Sequence, residues 1–150
     1  MPPDAVSWWP AGGQANDVLG GHNGSLQNSA SYGEGEVGQG FSFPPWDEQT
    51  ETGGDGFVRV PDHEALHFSN ALTLEAWIHP HDFDWYHEII STWDAVPGQN
   101  QKSYTTALSP DGHCYFGLNP TGQDGQDACI ISSNAVVVGT WTHIAATYDG

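Results

Sequence analysis

Strong bases are almost missing from this chain. Arg59 and Lys102 are the only arginine and lysine among 150 residues, against 19 aspartates and glutamates, so the formal charge is -17. Phosphate backbones are held by clustered Lys and Arg, so a nucleic-acid surface is excluded, and docking on anionic membranes is disfavoured. Protonating all eight histidines would reduce the negative charge without reversing it. Solubility should therefore be lowest near the sequence pI of about 4.2. Long apolar runs are also lacking. The longest are four residues, at 128–131 and 135–138, far below the roughly 20 that a spanning helix needs. The opening Met1-Pro2-Pro3-Asp4 has neither a basic start nor an apolar stretch, and reads as no signal peptide. Cysteine is confined to Cys114 and Cys129, with no CxxC, so a closed zinc site on thiolates is excluded.

Aromatic residues are plentiful. Seven Trp, six Phe and five Tyr argue against a disordered tail and for a folded body. No window of 11 residues carries helical apolar spacing, whereas alternation is clear. Leu72, Leu74, Ala76 and Ile78 share one face of a strand that Pro80 stops. Thr142, Ile144, Ala146 and Tyr148 share a face within 140–148, with Trp141, His143 and Ala145 on the other. Shorter strands are expected at 37–43, 56–60, 88–93, 103–109, 113–118 and 128–132, separated by turns such as Asp111-Gly112 and Gly122 to Gly125. Such spacing predicts an all-β, two-sheet antiparallel sandwich or jelly roll. Residues 44–56, rich in Pro and Gly, read as an inserted surface loop within a single domain spanning 1–150.

Several segments, in order, are similar to laminin-G-like, concanavalin A-like jelly-roll domains. They are Ser7-Trp8-Trp9-Pro10-Ala11; the stretch from Asn16-Asp17-Val18 to His22-Asn23-Gly24; Val37 to Phe43; and Phe57-Val58-Arg59-Val60-Pro61-Asp62. Leu74-Glu75-Ala76-Trp77-Ile78-His79-Pro80 and Gly139-Thr140-Trp141 through Tyr148-Asp149-Gly150 complete the pattern. Gly13 and the Phe43-Pro44-Pro45-Trp46 turn depart from it. The resemblance implies a non-catalytic binding module of a larger secreted or surface protein, with a glycan or an extracellular protein as partner. It also implies further strands after Asp149-Gly150, which has the form of a hairpin turn, so the sandwich is expected to be incomplete at its C-terminal end. A passive structural or adhesive spacer is one alternative; a divergent glycoside hydrolase is another. Against the latter, no E-x-D-x-x-E pattern, G-x-S-x-G or HExxH occurs, and the phosphate-loop lysine is missing.

The expected site residues follow. Asp17 and Asn23 offer hard oxygen ligands, and the resembling domains commonly hold a structural calcium here; the plainer reading is an Asx-shaped glycine turn. Asn23-Gly24-Ser25 is also a glycosylation sequon, and a glycan would remove Asn23 as a ligand. Cys114 and Cys129 lie on two expected strands joined by a short turn, so a disulfide is expected in the family's secreted setting; the alternative is two reduced thiols. The run from His79 to Glu88 gathers His79, His81, His87 and several carboxylates, a tempting transition-metal set, but Pro80 separates the first two. As ligand contacts, Asp84 would accept hydrogen bonds, and Trp85, Tyr86 and Phe83 would stack on a sugar or peptide. Otherwise this is an exposed acidic-aromatic loop.

Overall fold

The computed structural model describes residues 3–45, 47–51, 53–92, 103–119, 121–122 and 126–150. It falls into two compact units, Met1–His67 and Phe68–Gly150.

Among the described residues, the first unit holds four short strands and one 3-10 turn at Glu64–Leu66. Strand β1 (Ser25–Gln27) pairs antiparallel with β4 (Phe57–Arg59), and β2 (Ser31–Glu34) pairs antiparallel with β3 (Gln39–Ser42). The β2–β3 hairpin closes where the Gly35 N–H donates to the Gly38 carbonyl, and Gly38 takes φ 71°. That conformation costs glycine nothing and a β-branched residue a good deal. Opposite one another on this hairpin, the Tyr32 and Phe41 rings lie 5.8 Å apart. Neither β1 nor β2 was expected from alternation. No strand intervenes among the described residues between β3 and β4.

The second unit is a two-layer antiparallel sandwich. Strand β5 (Leu72–Ile78) pairs with β10 (Thr142–Tyr148) along its full length, Leu72 opposite Tyr148 and Ile78 opposite Thr142. The second sheet has the order β6-β7-β8-β9, formed by His87–Ser91, Tyr104–Leu108, His113–Leu118 and Ala128–Ala135. Alternation decides what meets between the layers. Leu72 and Leu74 from one sheet pack with Tyr104 and Phe116 from the other, and Phe68, Ile90, Leu118 and Ala146 close around them. Burying each large side chain contributes about 1.5–3 kcal/mol. Every residue of strand β7 is buried.

The disulfide expected between Cys114 and Cys129 is not formed; both thiols are free. Register is the reason. Cys129 stands opposite Gly117, and Ile131 stands opposite Tyr115. Directly paired residues share a face, so Cys129 lies with Tyr115 and Gly117. Cys114 alternates with them onto the core face, where its sulfur is 3.9 Å from the Thr106 hydroxyl. The two cysteines occupy different rungs and opposite sides of the sheet, a geometry that no disulfide spans.

Candidate functional site

The face of the β6–β9 sheet that points away from the core carries a chemically dense hollow. Thr105 and Ala107 are the β7 residues whose side chains leave the core face, and the register sets them against Gly117 and Tyr115 of β8. Glu88 of β6 stands opposite Ala107. Together with Tyr86 and Asp127, these side chains line a cavity of about 250 Å³.

Packing fixes the floor and walls. The Tyr115 ring lies across Gly117, where an added Cβ would meet its Cε1 at 2.9 Å and its hydroxyl at 3.1 Å. Tyr86 meets Tyr115 edge to face, with centroids 6.2 Å apart and planes at 80°. The Thr105 hydroxyl, buried in the sheet, donates to the Glu88 carboxylate. Asn119 donates through Nδ2 to Asp127. Burial pushes the Tyr115 phenol up to about 12, and the neighbouring Cys129 thiol and Asp127 carboxylate push it the same way. The phenol is therefore neutral across the physiological range and keeps its proton to donate. Two oriented carboxylates, a neutral phenol and two aromatic rings can accept hydroxyl protons while stacking on an apolar ring face.

Of the four expected contact residues, Tyr86 reaches this hollow. Trp85 is 72% exposed and points its indole into solvent. Asp84 turns to His87, with Oδ1 3.2 Å from Nε2. Phe83 is an anchor: its ring covers Gly112, where an added Cβ would come within 2.8 Å, and so pins the loop to the β7–β8 turn. His79 and His81 are neighbours at 5.9 Å, and His79 packs on Trp141 at 5.1 Å. Sequence reasoning missed Glu88, Tyr115 and Asp127 as partners. The parity of Glu88 and Tyr115 on expected strands was readable, Asp127 falls just before one, and the juxtaposition of all three depends on register.

In the first unit, Asp17 is wholly buried and saturated with donors. The backbone N–H groups of Trp8, Leu19, Gly20 and His22 all donate to its two oxygens. Burial alone would raise its pKa; hydrogen bonds from the Trp8, Leu19 and His22 backbone and from Ser7 outweigh it and hold the carboxyl far below the usual range. Asn23 accepts from the Asp17 N–H through Oδ1. Both side chains thus organise the glycine turn, and a cation would have to displace these donors. Ser7, His22 and Asp17 have the residue types of a hydrolase triad without its wiring. The Ser7 hydroxyl (2.7 Å) and Asp17 Oδ2 (3.0 Å) both address His22 Nδ1, so no proton path runs through the ring.

The outer face of the β5–β10 pair presents Trp77, 55% exposed, beside His143 at 5.2 Å, with Glu75 Oε2 3.5 Å from His143 Nε2. His143 also lines a cavity of about 350 Å³ that runs between β9 and β10 past Cys114, Val136 and Ile144.

A family model described as the Concanavalin A-like lectin/glucanases superfamily matches residues 52–150. The N-terminal segments that resemble such domains, from Ser7 to Phe43, lie outside that span. Neither the curated proteins nor the solved structures contain a match to the chain.

Proposed function

Because the chain belongs to the concanavalin A-like lectin/glucanases superfamily, we propose that its binding role is exercised in the Tyr86–Glu88–Tyr115–Asp127 hollow and that the ligand is an uncharged glycan. The carrying observation is the joining of two stacked-edge tyrosines to two carboxylates in one cavity of about 250 Å³. Sugar hydroxyls donate well to carboxylates, and the C–H faces of pyranose rings pack on aromatic rings. The charge of -17 disfavours sulfated or uronic glycans through long-range repulsion. An extracellular or cell-surface setting fits this ligand class and is part of the proposal. Exposed Trp85 stands at the adjoining loop as a further contact.

A second reading rests on the same two acidic side chains. Glycoside hydrolysis generally uses a pair of carboxylates across one bond, and Glu88 and Asp127 line one cavity. A glycan array, followed by a reducing-sugar assay on each hit, separates the readings. Binding to neutral glycans that Tyr115→Ala abolishes, with no sugar released, supports the binding module. Release that Glu88→Gln removes supports the hydrolase. No glycan bound by the wild-type chain leaves the spacer or protein-partner alternatives and overturns the proposal.

A further inference from the structure

The loop that leads into β6 gathers three ligand-bearing side chains. Donor atoms of Asp82, Asp84 and His87 all lie within 4.8 Å of one another. His87 Nε2 is 3.2 Å from Asp82 Oδ1 and 3.2 Å from Asp84 Oδ1. Of the set gathered from the sequence, His87 and two of the carboxylates meet here, whereas His79 packs against His81 and Trp141.

Ordinary hydrogen bonding does not account for the cluster. One imidazole nitrogen carries at most one hydrogen, yet two carboxylates approach the same Nε2. The Asp82 side chain is 42% exposed as a whole, but its Oδ1 is shielded from solvent and meets Nε2 without the alignment of a hydrogen bond. That oxygen and the Asp84 oxygen therefore share one nitrogen between them. Compensating side chains are also missing from the local sequence, because residues 60–101 contain neither lysine nor arginine.

We propose that Asp82, Asp84 and His87 form a site for a divalent transition ion of the zinc class. Zinc binds imidazole nitrogen and carboxylate oxygen at about 2.0–2.2 Å, which places neighbouring ligands of a tetrahedron roughly 3.3 Å apart. Both observed nitrogen–oxygen separations match that edge. An ion among the three atoms engages the shielded Asp82 Oδ1 and neutralises two like charges held together. The remaining coordination position faces solvent, since the Asp84 side chain is 79% exposed. Calcium is a poor fit, as it takes six to eight oxygen ligands and a nitrogen donor does not suit it. Phe83, between the two aspartates and fixed over Gly112, anchors the loop, and His87 is itself held as the first residue of β6.

The test is calorimetric titration of the 150-residue chain with zinc chloride in a chelator-scrubbed, non-coordinating buffer. The expected result is one ion per chain, with affinity falling at least about tenfold in Asp84→Asn and again in His87→Ala. Asp84 is exposed, so its variant folds without difficulty and keeps the comparison interpretable. His79→Ala with His81→Ala should leave the affinity unchanged, and calcium at the same concentration should give no saturable heat. Equal zinc affinity in wild type, Asp84→Asn and His87→Ala would overturn the site. Loss confined to the His79/His81 variant would overturn it equally. Because the readout is metal binding, its failure is distinct from failure of the glycan proposal.

Discussion

Tyr115 rests on Gly117, two positions along the same strand, with a ring carbon 2.9 Å from where a side chain would begin. Glycine is a poor strand residue in isolation, and here its bareness is what lets an aromatic ring lie flat over the sheet. Gly117→Ala should lift that ring, lower stability by about 1–3 kcal/mol and weaken glycan binding at least several-fold. Chemical denaturation and a binding titration of the variant check both effects. An unchanged affinity would separate Tyr115 from the ligand surface.

Tyr115 also predicts an alkaline signature. Its folded pKa is raised to about 12 above an ordinary value of 10.0, first through burial. The folded state therefore holds the proton longer than the unfolded state does. The associated stability is intact below about pH 10 and is lost as pH rises toward 12. Ultraviolet titration of wild type and Tyr115→Phe should differ by one late-ionising phenol.

Asp17 acts in the opposite direction. Its depressed pKa means that the stability it supplies is present above the ordinary carboxyl range and is lost as pH falls through it and below. Asp17→Ala strands four backbone donors and should cost about 1–3 kcal/mol or more at pH 7. The gap between wild type and variant should narrow on acidification, which melts at pH 7 and pH 3 would measure.

The cysteines should behave as independent thiols. Alkylation without reductant, followed by intact-mass analysis, should add two labels per chain. Cys129, exposed beside Gly117, should react before the partly buried Cys114. An unlabelled, oxidised pair would contradict the strand register.

Core and surface should separate cleanly within one sheet. Phe116→Ala removes a ring from the contact between the layers and should cost about 3–5 kcal/mol. Ile131→Ala, at a side chain 57% exposed, should change stability by no more than about 0.5 kcal/mol. Denaturant midpoints of the two variants decide this.

What the sequence revealed depended on how far each signal reached. Leu72, Leu74, Ala76 and Ile78 announced their strand because seven residues of alternation are hard to mimic. Ser25-Leu26-Gln27 and Ser31-Tyr32-Gly33-Glu34 did not, since three or four residues with small polar members leave no period to detect. Cys114 and Cys129 were placed in strands correctly and in the wrong relationship, because a hairpin's register is not encoded in either strand alone. The same limit hid the hollow. Glu88, Tyr115 and Asp127 are scattered along the chain and meet only once β6, β7, β8 and β9 are aligned, whereas Tyr86 was visible as an aromatic in a polar loop.

The central claim is that the outward face of the β6–β9 sheet is where ligand binds. Two-dimensional amide NMR of the labelled chain, titrated with a neutral oligosaccharide taken from the array, tests it residue by residue. The account predicts shifts concentrated at Tyr86, Glu88, Thr105, Ala107, Tyr115 and Asp127, with Thr73, Trp77 and His143 unmoved. Shifts centred instead on Trp77 and His143, on the outer face of β5 and β10, would contradict it.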